Sequence, residues 1–474
     1  MADVRSDLAA ELADAVGPGH VLPGAEAGDY QKDESLGTTP REPAFVVSPS
    51  QTAEVAAVLR IAARHGVPVT ARGSGTGMSG AAIPGDGGVV VSLGRMKSIL
   101  EIDATNHAAV VQPGVTLAEL DAVAAERGLV YPVFPGEMSA SVGGTIATNA
   151  GGMRAVRYGV TRQHVLGVEA VLVSGEVIRA GGKFVKCSTG YDLTQLIVGS
   201  EGTLALVTEA TVRLYPRLHC QATVLAPFGS LELVTAAVPR IIAGGLQPLV
   251  LEYVDMLTMA AITEREHLDL GVPAAVRERA LAYLVVVLEE RTDERLADEL
   301  AALAELLAEV DADDVYVLPD GAARRLIEAR EKAFWAAKDA GANDIVDAVV
   351  PRAAMAPFLA EVAAVAQGRG GLVVGCGHAG DGNVHLAVFD SDPATRTALM
   401  RDIFAAAVAN GGAISGEHGI GIAKKEYFRD LADPASIELM RRVKQAFDPL
   451  GILNPGVLFD SPDKTAHYRQ NRRT

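Results

Sequence analysis

The run Arg72-Gly-Ser-Gly-Thr-Gly-Met-Ser-Gly-Ala-Ala-Ile-Pro-Gly85 constrains this 474-residue chain more than any other segment. It follows Val67-Pro-Val-Thr-Ala71, which reads as a strand. Gly75, Gly77 and Gly80 match the dinucleotide fingerprint G-x-G-x-x-G letter for letter. A Rossmann turn must then open a helix whose N-terminus takes the pyrophosphate. Here the chain continues Ile83-Pro-Gly-Asp-Gly-Gly88. Proline lacks the N–H donor, and each glycine costs about 1 kcal/mol in a helix interior. The Rossmann reading fails. Two possibilities stay open: a nest of backbone N–H groups that binds phosphate, or a plain surface turn.

Two later segments bear on that choice. Pro135-Gly-Glu-Met-Ser-Ala-Ser-Val-Gly-Gly-Thr-Ile-Ala-Thr-Asn-Ala-Gly-Gly152, with Tyr158-Gly159 after it, is long, small-residued and nearly uncharged. Such a run makes a poor packed core and a good backbone surface against a large planar ligand. Gly199-Ser-Glu-Gly-Thr-Leu-Ala-Leu-Val-Thr208 reads as a tight turn feeding a strand. Glycine makes up 49 of 474 residues, above the usual ~7%, and the excess gathers in a few segments.

The surrounding pattern predicts two main units. Leu8, Leu12 and Val16 recur at helical spacing before Gly17-Pro18-Gly19, so residues 1–40 read as a helical leader. In 41–218, Ser50 is placed to cap a helix with Val55, Val58, Leu59 and Ala62 on its apolar face. Val89–Leu93 and Ala108–Gln112 read as strands, and Thr116 with Glu119 forms a capping box for a helix that stops at Gly128. Val165–Val173 and Glu176–Ala180 read as a hairpin around Ser174-Gly175, and Val212–Tyr215 as a last strand. In 219–460, an amphipathic helix (Leu296, Leu300, Leu303, Leu307, Val310) alternates with short strands at Val315–Val317, Leu372–Val374 and Val384–Val388. That predicts an α+β domain with helices on an antiparallel sheet. Residues 461–474 read as a polar tail.

Composition narrows the functional classes. The net charge of −17 argues against a nucleic-acid footprint. No run of about 18 apolar residues spans a bilayer, and the N-terminal residues lack a signal-peptide h-region. Cys187, Cys220 and Cys376 are scattered singly, in neither a disulfide framework nor an iron–sulfur or zinc pattern. A reducing, cytoplasmic compartment is expected.

Two glycine-framed loops carry histidines: Gly377-His-Ala-Gly-Asp-Gly-Asn-Val-His-Leu386 and Ser415-Gly-Glu-His-Gly-Ile-Gly421. In the first, a turn at Gly380-Asp381-Gly382-Asn383 can bring His378 and His385 together at a strand end. Two histidines and a carboxylate with an open position are a recurrent catalytic metal set. Histidines simply satisfied within turns fit the sequence equally well. Arg330, in Ile327-Glu-Ala-Arg-Glu331, reads on its own as a solvated helix charge.

Together the three glycine-rich segments resemble the FAD-binding domain of the vanillyl-alcohol oxidase/p-cresol methylhydroxylase flavoproteins. That implies a two-part FAD-binding domain, with the pyrophosphate on Arg72, Gly73, Ser74, Gly75, Thr76 and Gly77. The flavin ring would lie near Pro135, Gly136, Ser141, Gly143, Gly144, Asn149, Gly151, Tyr158 and Gly159. Glu201, Gly202 and Val207 would close the site. Covalent members carry a histidine about where Thr76 stands, so a noncovalent FAD is expected. From about 219 to Asn454-Pro-Gly-Val-Leu458, the chain resembles the C-terminal domain of FAD-linked D-2-hydroxyacid dehydrogenases. These include D-lactate dehydrogenase and the flavin subunit of glycolate oxidase, and the resemblance adds Asn454 to the cofactor set.

In that family, the residues matching His378, His385 and Glu417 hold a divalent metal, usually zinc. His418 then stands where the proposed base is, and Arg330 where the substrate carboxylate is held. The implied activity is oxidation of a D-2-hydroxy acid, D-lactate first and glycolate second, to the 2-oxo acid by hydride transfer to flavin. The electron acceptor would be a quinone, a cytochrome, an electron-transfer flavoprotein or an iron–sulfur partner subunit. Peripheral membrane association and a homodimer stay open. Relatives that oxidise D-2-hydroxyglutarate place a lysine shortly before the Asp-x-x-x-Pro segment. Here Asp347 follows Ile345 and Val346, although Lys332, Lys338 and Arg352 lie nearby in sequence. An alkyl-glycerone-phosphate synthase-like transferase on the same FAD fold is a rival reading, and a non-catalytic flavin- or metal-binding subunit is another.

Overall fold

The computed structural model describes residues 2–460, so the tail expected over 461–474 lies outside the described residues. The leader helix, Ala2–Val16, buries Leu8, Leu12 and Val16 against the helix Thr52–His65. The leader does not stand apart. Its strand β1 (Val21–Pro23) pairs with β2 (Phe45–Val47) in a sheet completed by β3 (Val69–Arg72) and β4 (Val89–Ser92). The strand order is β1-β2-β4-β3, with β2, β4 and β3 parallel. A 40-residue leader has no core of its own, and its apolar side chains become buried only on this sheet and helix. Ser50 sits one residue too early to cap the helix. Gln51 holds that position, and the Ser50 N–H donates instead to Glu54 Oε2 at 2.7 Å.

A second sheet joins β5 (Ile99–Asp103), β6 (Ala108–Val111), β8 (Val165–Val171), β9 (Val177–Gly181) and β10 (Leu206–Arg213) in the antiparallel order β5-β6-β10-β8-β9. A ribbon of β7 (Leu129–Val130) with β11 (Tyr215–Pro216) borders it. The Thr116 capping box forms: Thr116 Oγ1 accepts the Glu119 N–H, and Glu119 accepts the Thr116 N–H at 2.9 Å.

The second domain is one seven-stranded antiparallel sheet. Its strands are β12 (Cys220–Phe228), β13 (Val250–Asp255), β14 (Ala282–Glu290), β15 (Tyr316–Leu318), β16 (Asp344–Val349), β17 (Leu372–His378) and β18 (Asn383–Phe389). They run β15-β12-β14-β13-β17-β18-β16. Helices Leu231–Ala243, Asp293–Glu309, Met355–Arg369 and Pro393–Ala409 cover one face, over a core that includes Phe228, Phe358 and Phe404. Helices Met256–Arg265, Asp320–Glu331 and Ala333–Asp339 cover part of the other. Past the helix Pro434–Phe447 the chain returns to the first domain. Asn454 N–H donates to Val69 O at 2.7 Å, and Ile452 and Leu453 are buried in that domain's core. The stretch 452–454 thus packs with the first domain rather than the second, because its apolar pair completes the exposed edge of β3.

Candidate functional site

A cavity of about 1110 Å³, mouth included, opens between the 72–78 loop, the 140–150 segment and the turn at Glu201-Gly202. Its walls are mostly backbone and small side chains. A Cβ at Gly73 would collide with Ser141 Oγ, and one at Gly143 would come within 2.5 Å of Pro113. Bare backbone is what allows these segments to approach so closely. Arg72 lines the cavity, but its guanidinium donates to Lys32 O at 2.6 Å and Asp29 O at 2.8 Å, tying the loop's base to the leader. The lining, mostly glycine, alanine, serine and threonine, leaves backbone close to whatever fills the cavity, which suits a large ligand such as the FAD the sequence implies.

Of the expected cofactor residues, Arg72, Gly73, Ser74, Gly75, Thr76, Gly77, Pro135, Ser141, Gly143, Gly144, Glu201 and Gly202 line this cavity. Gly136 lines a neighbouring one. Asn149, Gly151, Tyr158, Gly159, Val207 and Asn454 line neither. Asn149 closes the helix Val142–Thr148 in the left-handed conformation, and its Oδ1 accepts the Arg162 N–H. Gly151 makes room for a carboxylate, since a Cβ there would lie 2.7 Å from Glu417 Oε2. Tyr158 packs on Tyr215, Gly159 bends the backbone in the left-handed region, and Val207 is buried in the core of the second sheet. Asn454 Nδ2 donates to Ala81 O at 2.8 Å and Glu201 O at 2.7 Å, linking the glycine loop to the 201 turn.

The second site rises from one face of the seven-stranded sheet. Side chains alternate across a strand, and the register places Glu252 beside His378, Cys376 opposite His385, and His385 opposite Asp347. The turn between β17 and β18 works because Gly382 is left-handed (φ 76°), and a Cβ there would strike Val350 O. His378 Nε2 and His385 Nε2 lie 3.1 and 3.0 Å from Glu417 Oε1. His378 Nδ1 donates to Glu252 Oε1 at 2.6 Å. Burial opposes the charged form of His378, but Glu252 and Glu417 outweigh it and raise its pKa to about 10. Two carboxylates facing two imidazoles make the cluster favourable to a positive charge. Three donors within 4.8 Å of one another, one backed by a buried carboxylate, fit a divalent ion as well as a proton.

The loop carrying Glu417 and His418 is held from below by Asp347, which is fully buried. Asp347 accepts the N–H groups of Gly416, Glu417 and His418, the Ser415 hydroxyl and the Asn383 amide. Burial works against its charge, but His418, Lys424 and His385 hold its pKa well below the usual range. A second donor group, Asp347 with His385 and His418, also lies close together. It suits a metal less well: the carboxylate is already fully hydrogen-bonded and has no open side. The same loop is pinned from the first domain. Ser79 Oγ donates to His418 O at 2.8 Å, and Glu201 accepts the Ile420 and Gly421 N–H groups at 2.9 and 2.8 Å. His418 stacks on His385, and burial lowers its pKa to about 4, which leaves it neutral near pH 7.

Arg330 is no solvated helix charge. It is 6% exposed, and its Nη2 pairs with Glu252 Oε2 at 2.6 Å while Nε has no partner among the described residues. Glu252 thus joins the arginine to the histidine cluster. The sequence-based set omitted Glu252, Asp347 and Lys424. Their only signal is a charged residue inside an apolar strand (Glu252 in Val250–Val254, Asp347 in Ile345–Val350), or, for Lys424, none. Arg330, His378, His385, Glu417 and His418 all line a second cavity of about 950 Å³, mouth included. Met78, Pro135, Glu417 and His418 line both cavities.

Comparison with known proteins agrees with both halves. Residues 43–181 match the model of an FAD binding domain, and residues 219–458 that of the C-terminal domain of FAD linked oxidases. An uncharacterized FAD-linked oxidoreductase of Mycobacterium tuberculosis is 56% identical, over 96% of this chain and 99% of its own. A D-lactate dehydrogenase of Archaeoglobus fulgidus is 38% identical (92% and 96% covered), and a glycolate oxidase subunit of Bacillus subtilis 37% (88% and 89%). Among solved structures, substrate-bound p-cresol methylhydroxylase superposes with a TM-score of 0.81 at 16% identity, covering 97% of this chain and 98% of that one.

Proposed function

The chain belongs to the FAD-linked oxidase family, and from that premise we propose that it oxidises a D-2-hydroxy monocarboxylate to the 2-oxo acid. The observation that carries this reading is the junction of the two cavities at Glu417 and His418. When bound, FAD supplies a two-electron acceptor in the first cavity, and a divalent ion on His378, His385 and Glu417 supplies a Lewis acid at the second. Arg330 holds the substrate carboxylate through its unpartnered Nε–H and the adjacent Nη2. His418 takes the hydroxyl proton. Its Nδ1 is enclosed 3.9 Å from Asp347 Oδ2, so the proton goes to Nε2, and Asp347 stabilises the imidazolium that results. Glu252 balances Arg330 and orients His378, and loop contacts to Ser79 and Glu201 keep His418 beside the cofactor cavity.

The relatives named D-lactate dehydrogenase and glycolate oxidase subunit support the substrate class. Electrons leave to an acceptor outside the chain (a quinone, a cytochrome, an electron-transfer flavoprotein or an iron–sulfur partner subunit), since the three cysteines are far apart in sequence and differ in burial. A D-2-hydroxyglutarate dehydrogenase would need a second cation near the substrate. Lys338 is paired with Glu34 at 2.7 Å, Lys332 with Glu266 at 3.7 Å, and Arg352 donates to Gly380 O; none lines the second cavity. The test is anaerobic: D-lactate should bleach the yellow protein in a reaction that leaves pyruvate. A metal-loaded, FAD-replete sample that no 2-hydroxy acid bleaches would overturn the reading in favour of a non-catalytic or transferase role.

A further inference from the structure

The methyl group of lactate needs little room, yet the second cavity is about 950 Å³ with its mouth. Its polar groups sit at one end, and period-two alternation on the sheet explains how. On the face that carries His378, one row holds Cys376, His385 and Asp347 and the next holds Val374, Ala387 and Ile345; Phe389 lies one step further along β18. From His385 to Phe389 is four residues, about 13 Å of strand. Opposite stand Ile262, Ala333, Phe334 and Ala337 from two helices, and the exposed Leu257, Ala261 and Ala340 mark the mouth. Apart from Arg330 and the histidines, the acidic wall residues among those described are the carboxylates Glu331 and Glu417. Among the described residues no Lys and no second Arg lines that wall, so it holds no further side chain of that kind for a second carboxylate.

Resting on the dehydrogenase reading, we propose that this apolar channel binds the side chain of the substrate, and that the preferred substrates are D-2-hydroxy acids with a hydrocarbon tail of roughly four to eight carbons, as the length of the strand segment allows. The head group keeps its place, with Arg330 on the carboxylate and His418 on the hydroxyl. The tail lies along Cys376, Ala387 and Phe389. Oxidation is unchanged: the hydroxyl proton goes to His418, the C2 hydride to FAD, and the product is the 2-oxo acid of the same chain length.

The test is anaerobic flavin reduction by the FAD- and metal-replete protein, with D-lactate, D-2-hydroxybutyrate, D-2-hydroxyhexanoate, D-2-hydroxyoctanoate and D-2-hydroxyglutarate side by side. Each methylene buried should raise the specificity constant roughly threefold to fourfold, so the six-carbon acid should exceed D-lactate by about 30-fold or more. The gain should level off once the tail reaches the mouth. Ala337→Phe, which fills the channel, should lower the ratio of the six-carbon constant to the D-lactate constant at least about tenfold. FAD content and far-UV spectrum should report that the variant is folded. D-lactate equal to or better than the six-carbon acid, a preference for D-2-hydroxyglutarate, or an unchanged ratio in the folded variant would overturn the channel assignment while the dehydrogenase reading stands. Reduction by no acid of any length would overturn both.

Discussion

The cofactor cavity and the channel beside it share four residues, and they are built from different materials. The first is walled by the 72–78 loop and the start of the helix Val142–Thr148, where Gly73, Gly75, Gly143 and Gly144 present backbone and no side chains. The second is walled by the side chains of one sheet face, polar at the β17–β18 turn and apolar further along the same strands. A backbone-built site is sensitive to added volume and indifferent to most chemistry. A side-chain site on a rigid sheet depends on the chemistry of single residues, each with its own supporting partner. Substitutions in the two regions should therefore fail in different ways, and that difference can be measured.

The largest effect is expected at His385. His385→Ala should lose the metal and all detectable turnover while FAD stays bound, checked by metal analysis, flavin absorbance and rate on one sample. An active, metal-free variant would remove the metal from the proposed chemistry. Next, His418→Asn should keep metal and FAD and slow flavin reduction by about 10²–10⁴-fold. If the metal left with it, His418 would be a ligand, and the contrast between a metal end and a proton-accepting end would collapse. Glu252→Gln should weaken metal binding by about 10–100-fold, read by competition with a chromogenic chelator. An unchanged affinity would reduce Glu252 to a partner of Arg330 alone.

On the backbone side the effects are smaller and purely steric. Gly73→Ala should weaken FAD binding by roughly tenfold through overpacking against Ser141, and the metal cluster should be unaffected. Loss of metal in that variant would mean that the two regions are not separable. Finally, Thr76 lines the cofactor cavity and has no ring nitrogen to bond the flavin. Acid precipitation should thus release all the yellow colour, and colour in the pellet would place a covalent link elsewhere in the chain.

Much of this was written locally. The three glycine segments, the Thr116 capping box and the short turn joining His378 to His385 are each set by neighbours in sequence, and the helix- and strand-forming patterns around them are local as well. Local signals misplaced the Ser50 cap by one position. They do not say that the leader's strand joins the first sheet, or that 452–454 reaches back to it, because nothing in a short apolar stretch says which distant core it completes. The polar centre lies further from what a sequence shows. Glu252 is 126 residues from His378, and Asp347 is 71 from His418. Alternation along β13, β16, β17 and β18 says which residues share a face but not which strands are neighbours. The order β13-β17-β18-β16 is what turns separate charged residues into one cluster. The same order decides that Arg330 is buried against Glu252 and that Val374, Ala387 and Ile345 continue from the histidines as a channel. By itself, then, the sequence determined the glycine loops, the histidine turn and the family they belong to, since those depend on backbone conformation and near neighbours. Tertiary structure alone decided the charge balance of the site and the character of its tail pocket, since both arise from side chains that meet only when distant strands pair.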